Sequence, residues 1–201
     1  MLDRHIVPRL RQPLARLAMR AEARGITANQ ITMAGFLVGM LSVPAIAFGM
    51  SLPALLLLAL NRLADGIDGE LARRQGATDA GAFLDITLDF IFYAAFPLGF
   101  AFMNPAANAL PAAVLVASFM GTGASFLAFA LKAEQRGIEH PDFGYKGFYY
   151  LDGLAEGSET ILCFALMCLF PAAFAWLAWG FAAICVLTAI NRLVGGFRAL
   201  R

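Results

Sequence analysis

Apolar residues in this chain run for about 20 positions at a time, with polar residues gathered in short clusters between the runs, the pattern of segments that cross a bilayer. Six such runs fall near residues 30–50, 52–73, 79–103, 107–131, 153–170 and 172–193. The expected fold is therefore an all-α integral membrane protein with six transmembrane helices. Residues 1–24 follow a different pattern: Arg4, Arg9, Arg11, Arg16, Arg20 and Arg24 alternate with Ile6, Val7, Leu10, Leu14, Leu17 and Met19, without the long apolar core of a cleavable signal. They predict an amphipathic helix lying on the membrane surface. The chain thus divides into an N-terminal juxtamembrane helix, 1–24, and a six-helix membrane domain, 25–201.

Composition agrees. Hydrophobic residues make up 60% of the 201 positions and charged ones 14%, with a mean hydropathy of +0.71, which leaves no room for a large soluble domain. Cys163, Cys168 and Cys185 all fall inside apolar runs, where they read as packing rather than disulfides or metal ligands. No Walker or dinucleotide loop is present, and the expected partners are membrane lipids, not nucleic acid.

Charge changes the picture by its placement. If the spans are threaded in order, residues 1–24, 62–79, 132–152 and 192–201 lie on one side and carry all fifteen Lys and Arg residues. The connections near 48–53, 103–108 and 170–173 carry none. Because Lys and Arg are enriched in cytoplasmic loops, both termini are expected in the cytoplasm. The acidic residues crowd the same end, so the polar chemistry is expected at the cytoplasmic interface of a multi-pass protein, in a bacterial inner (plasma) membrane.

That chemistry concentrates between Asn61 and Asp89, NRLADGIDGELARRQGATDAGAFLDITLD. Asp65 and Asp68 are three apart on the second span, and Asp85 and Asp89 four apart on the third, so each pair shares a helix face. The loop between is short enough to make the helices antiparallel neighbours with all four carboxylates in one pocket. Asp79, in the loop, reads as a helix cap. Four carboxylates at the edge of a low-dielectric slab need compensating charge. Oxygen-only ligands suit Mg²⁺ or Mn²⁺, and a pair of such ions can clamp the attacking and leaving oxygens of a displacement at phosphorus. Gly69, Ala72 and Gly81 remove side chains where a phosphate or a flat group must come close, and Arg73 and Arg74 supply positive charge for it. Any one of these residues is more often a cap, a solvated end or a packing glycine. Independent caps do not supply two face-matched pairs with small residues between them.

Asp65, Asp68, Gly69, Ala72, Arg73, Gly81, Asp85 and Asp89 resemble the signature of the CDP-alcohol phosphotransferases (CDP-alcohol phosphatidyltransferases), D-x-x-D-G-x-x-A-R-x8-G-x-x-x-D-x-x-x-D. Here seven residues, not eight, separate Arg73 from Gly81; the deletion falls in the loop, where it is best absorbed, so the metal site is expected to persist. The stretch Gly25 to Thr32, GITANQIT, is similar to the family's entry to its first span. The resemblance implies that Asp65, Asp68, Asp85 and Asp89 hold the metals, with Asp89 also the general base. It further implies that Gly69, Ala72, Arg73 and Gly81 bind the CDP moiety of a CDP-linked lipid donor, with CDP-diacylglycerol the expected one. An alcohol acceptor would then take the substituted phosphate and CMP would leave.

The acceptor stays open. Lys132, Arg136, Lys146 and Arg192 suit a phosphate on it. Alternatively, Glu156 and Glu159 suit an amine, with Phe143, Tyr145, Phe148, Tyr149 or Tyr150 packed against it. The positive-inside rule and an interfacial aromatic belt are the plainer explanations of the same residues. The stretch Gly35 to Gly39, GFLVG, would let the first span pair in a homodimer. The rival reading from another class is an ion or metal transporter; a carrier places its charges near the bilayer midplane on broken helices, whereas these acids cluster at span ends on one side.

Overall fold

The computed structural model describes residues 3–137 and 153–201, with the side chains of the first helix from Gln12 onward. Among these residues every regular element is helical: α1 (Asp3–Glu22), α2 (Ala28–Met40), α3 (Ser42–Ala47), α4 (Ser51–Gln75), α5 (Asp79–Met103), α6 (Pro105–Gln135), α7 (Gly157–Leu169) and α8 (Phe174–Ala199), the last entered through a single 3₁₀ turn, Pro171–Ala173. Four helical stretches are long and apolar enough to cross a bilayer: Ala28–Ala47, Asp79–Met103, Pro105–Gln135 and Pro171–Ala199. The other two expected spans differ from these for physical reasons. Helix α4 has 25 residues, as many as α5, but from Arg62 onward it carries Arg62, Asp65, Asp68, Glu70, Arg73 and Arg74. Helix α7 has only 13 residues, because Gly153–Glu156, expected within the span, instead form a non-helical turn. The Thr188 hydroxyl accepts from the Leu154 and Ala155 amides at 3.1 and 2.9 Å, giving those donors the partners a helix would have supplied.

The first expected span is likewise broken, into α2 and α3 at Leu41. Pro44 has no N–H to give to the Met40 carbonyl, so the helical ladder is interrupted there. Helix α2 starts where Thr27 and Gln30 form a reciprocal capping box, the Thr27 hydroxyl accepting from the Gln30 amide and the Gln30 side chain from the Thr27 amide. The cap of α5 is Thr78, whose hydroxyl accepts from the Gly81 amide; Asp79 is the first helical residue and not the cap expected of it.

Helix α5 organises the bundle. Asp85, Asp89, Phe92, Phe96 and Phe100 recur at helical spacing on one face, so that the acidic end of the face continues directly into a fully buried aromatic column. Phe96 stacks on Phe164 of α7 at 4.3 Å between ring centroids, and Phe100 on Phe174 of α8 at 4.5 Å. That dry column closes the site from below. Helix α1 packs on α4, with Ala18 and Ala21 buried against Leu71 and Gly66 facing Leu14, while Arg16 and Arg20 stay exposed.

Gly35 and Gly39, the G-x-x-x-G of α2, are the buried residues of that helix, and α4 fills the space they leave. A methyl on Gly35 would lie 2.5 Å from the Ala64 side chain, and one on Gly39 2.8 Å from Asn61 Nδ2. The dimer contact expected of this motif is corrected accordingly: its small face is consumed within the chain.

Candidate active site

The acidic faces of the last three turns of α4 and the first three of α5 converge through their side chains, but the two helices are not the packed neighbours expected of them: α2 packs against both. Asp65, Asp68 and Asp85 each turn a carboxylate oxygen to within 4.8 Å of the other two. Asp68 is buried and the others partly so. Asp89, one turn deeper on α5, lines the same pocket, as do Thr32 and Phe92. Its carboxylate stands outside the group of three and accepts from Arg62 Nη2 at 2.8 Å. The three-acid group fits a hard divalent cation: the donors are all oxygen, come from two rigid helices, and are like charges whose repulsion in a low-dielectric setting a bound cation would relieve.

Beside this group opens a cleft of about 560 Å³, lined by Gly69, Ala72, Arg73 and Gly81 together with Asp68, Asp85, Asn29 and Thr32. All four residues expected at the nucleotide therefore face one space that two of the three carboxylates, Asp68 and Asp85, border, despite the one-residue-shorter loop. Gly69 is explained by this geometry. A methyl there would meet only the Arg73 guanidinium, at 3.8 Å, so the missing side chain leaves room in the cleft and makes no helix contact. Gly81 is tighter, a methyl lying 3.0 Å from Asn29 Oδ1. Gln75 seals the far wall, accepting from the Ala28 amide at 3.2 Å and donating to the Ile26 carbonyl at 2.9 Å. Arg73 pairs with Glu70 at 2.8 Å while remaining half exposed to the cleft; Arg74 turns away to Glu22 of α1 and is not part of this wall.

A second cavity, about 170 Å³, lies among α5, α6, α7 and α8 and is lined by Tyr93, Thr122, Phe126, Glu156, Thr160 and Arg192, among others. Of the residues expected at the acceptor, Glu156 and Arg192 are brought here, both buried; Arg192 donates to the Thr122 carbonyl at 3.2 Å and lies over the Phe126 ring. Glu156 accepts from the Gly153 amide at 3.2 Å. Glu159, partly buried on the next turn, does not line the cavity. Lys132 and Arg136 do not either: both are exposed at the end of α6, where Lys132 donates to Gln135 and Arg136 to the Leu200 carbonyl. Lys146, Phe143, Tyr145, Phe148, Tyr149 and Tyr150 lie outside the described residues.

Reading the sequence missed Arg62, Thr32 and Asn29. Arg62 carried a signal: a cation within an apolar span, three residues before Asp65 on the same face, is a functional candidate in its own right.

Known proteins show which family the chain belongs to. The sequence model of one family, CDP-alcohol phosphatidyltransferase, matches residues 25–191. The chain belongs to that family. It is 50% identical over 201 residues, 100% of this chain and 98% of the relative, to the Inner membrane protein YnjF of Escherichia coli strain K12. Its fold is similar to that of the Mycobacterium tuberculosis phosphatidylinositol phosphate synthase in a crystal structure with CDP-DAG bound, with a TM-score of 0.74, 18% identity, and 92% and 93% of the two chains covered. A second structure of that synthase, in complex with manganese and citrate, gives a TM-score of 0.72 at 20% identity over 92% and 88%. As a CDP-alcohol phosphatidyltransferase, the chain is a membrane phosphotransferase of phospholipid biosynthesis, taking its phosphatidyl group from a CDP-linked lipid.

Proposed function

We propose that this phosphatidyltransferase uses CDP-diacylglycerol as donor, with the diphosphate at Asp65, Asp68 and Asp85 and the cytidine in the cleft of Gly69, Ala72, Arg73 and Gly81. The observation that carries the reading is the union of the two: Asp68 and Asp85 of the three convergent carboxylates also line the cleft into which Gly69 opens. The donor bound by the structurally similar synthase, CDP-DAG, supports it.

Asp65, Asp68 and Asp85 would hold Mg²⁺ or Mn²⁺, two ions, with Asp89 beside them and not a ligand, and the metal would supply charge neutralisation at the pyrophosphate. Asp89 is the general base. It takes the proton of the acceptor hydroxyl, whose oxygen attacks the lipid-bearing phosphorus, and CMP leaves. Arg73, half exposed in the cleft, sits beside the nucleotide phosphates. The phenylalanine column below keeps water from the reacting phosphorus, which favours the alcohol over hydrolysis. The acceptor enters through the cavity of Arg192 and Glu156.

The chain crosses a bacterial inner membrane six times, with α4 and α7 as the second and fifth crossings, α1 on the cytoplasmic surface, and both termini and the site in the cytoplasm. Support comes from the distribution of Lys and Arg and from the named inner-membrane relative. A homodimer, if formed, uses a surface other than Gly35 and Gly39. The transporter alternative loses ground to geometry, since α4 and α5 run unbroken through all four aspartates.

The test is a membrane assay with radiolabelled CDP-diacylglycerol, a panel of alcohol acceptors, and Mg²⁺ or Mn²⁺. Stoichiometric CMP and a new phospholipid are expected. CDP-diacylglycerol that stays intact with every acceptor, while another CDP-alcohol is consumed, overturns the donor assignment.

A further inference from the structure

Arg62 is held more tightly than a positive-inside residue requires. Its side chain is only 17% exposed, and it stands one turn before Asp65. Nε donates to Asn61 Oδ1 at 2.8 Å, Nη2 to Asp89 Oδ1 at 2.8 Å and Nη1 to the Tyr93 hydroxyl at 3.2 Å, with Asp65 Oδ2 3.6 Å from Nη1. The Phe92 and Tyr93 rings lie 5.6 and 5.5 Å from the guanidinium carbon. Asn61 is anchored in turn, donating to the Gly35 carbonyl at 3.0 Å. The guanidinium is therefore fixed along its edge by hydrogen bonds and beside two aromatic rings, the fork geometry that distinguishes Arg from Lys.

A pin between α4 and α5 is the plainer explanation of such a residue. Two features go beyond a pin. First, Arg62 discriminates among the four aspartates: it grips Asp89, the one outside the three-acid group, and stands farther from Asp65. Second, the hydroxyl that shares its guanidinium belongs to Tyr93, which lines the second cavity, whereas Arg62 and Asp89 line the aspartate pocket. Arg62 thus bridges the wall between the two spaces.

We infer that Arg62 is a positioning residue for the transfer: it holds Asp89 apart from Asp65, Asp68 and Asp85 and keeps the second oxygen of Asp89 available to an acceptor hydroxyl arriving past Tyr93. The inference rests on the assignment of Asp89 as base. The acceptor O–H bond breaks with its proton going to Asp89, the new O–P bond forms, and the P–O bond to CMP breaks with its electron pair leaving on CMP. Arg62 touches none of the reacting atoms; it acts through Asp89.

The experiment measures kcat and both KM values for the full-length protein in detergent with CDP-diacylglycerol and its acceptor, for Arg62→Gln, Arg62→Lys and Tyr93→Phe, and for Arg62→Gln combined with Asp89→Asn. Arg62→Gln should lower kcat by about 10²-fold while the KM for the CDP-lipid moves by less than about threefold. Arg62→Lys should fall between Arg62→Gln and the unsubstituted protein, at least about tenfold below the latter, because an ammonium cannot span Asp89 and Tyr93 together. Tyr93→Phe should lower kcat about three- to tenfold. In the Asp89→Asn background, Arg62→Gln should cost less than about threefold, since a residue acting through Asp89 has nothing left to act on. Additive losses in the double variant, or a raised CDP-lipid KM with kcat preserved, overturn the inference and leave a structural pin. If Arg62→Gln fails to accumulate, Arg62→Lys decides alone, and full activity in it overturns the inference. Absence of turnover in the unsubstituted protein with every donor and acceptor overturns the proposed function and this inference with it. Turnover there and equal turnover in Arg62→Gln overturn the inference alone.

Discussion

The Asn61 side-chain amide donates to the Gly35 carbonyl at 3.0 Å, joining α2 to α4 at the level of the site. Gly39 faces the same side chain one turn along. This contact sets how close α2 can lie to the aspartate pocket, so a side chain added here should act on stability. Gly35→Leu is expected to lower the melting temperature in detergent, at a cost of about 1–3 kcal/mol from overpacking against Ala64. An unchanged melt would show that α2 can shift without loss.

Gly69→Ala should behave in the opposite way. No atom other than the Arg73 guanidinium lies near the added methyl, and Ala favours a helix by about 1 kcal/mol over Gly, so the melt should hold or rise. The KM for the CDP-lipid should increase at least about tenfold, because the methyl occupies the cleft where the nucleotide is placed. Steady-state kinetics beside a melting curve read both effects from one preparation, and an unaltered KM would remove Gly69 from the donor site.

Chelation should abolish turnover, and Mn²⁺ or Mg²⁺ should restore it. Asp68→Asn should lose about 10²-fold or more while still inserting into the membrane, since insertion depends on the apolar runs. Added Mn²⁺ should partly rescue an Asp65 variant but not Asp89→Asn, which keeps its shape while losing the proton acceptor. Equal rescue of both by titrated Mn²⁺ would make Asp89 another metal ligand.

The second cavity separates the basic residues into two groups. Arg192→Ala should raise the acceptor KM at least about tenfold with little change in that of the CDP-lipid, since Arg192 lines the cavity and its loss leaves the Phe126 face and the Thr122 carbonyl open. Lys132→Ala and Arg136→Ala, exposed at the end of α6, should stay within about twofold. Initial rates with each substrate varied in turn distinguish the two, and a large acceptor effect at Lys132 would move the site.

Orientation is checked by thiol labelling. Cys163, Cys168 and Cys185 are buried, so their removal leaves a clean background. A cysteine at Ala77, in the exposed α4–α5 connection, should react only from the cytoplasm, and one at Ala106, at the start of α6, only from the other side. The reverse pattern would invert the topology.

The aspartate array was legible because helical spacing alone puts Asp65 with Asp68 and Asp85 with Asp89 on shared faces, and a three-residue loop returns the chain at the same end; that α2 packs against both α4 and α5 was not legible. Element ends were read less well where a polar partner far along the chain decided them. Thr188 holds Gly153–Glu156 out of α7, a contact across more than thirty residues that no local pattern announces. The G-x-x-x-G of α2 was visible, but its partner was not: the same small face serves a neighbouring helix or a second chain equally well.

The sequence by itself determined the class of the protein and, through its resemblance to a family signature, the class of reaction, because hydrophobic run length and the spacing of the signature residues are local properties of the chain. Only the tertiary structure decided which charges meet. Arg62 was one basic residue among fifteen until α5 brought Asp89 and Tyr93 to its guanidinium, and Lys132 and Arg192 looked equivalent until the packing of α6 on α8 buried one and left the other exposed. The strength of a charge depends on its distance to a partner and on the water it has lost, and both are fixed by contacts between residues far apart in the chain.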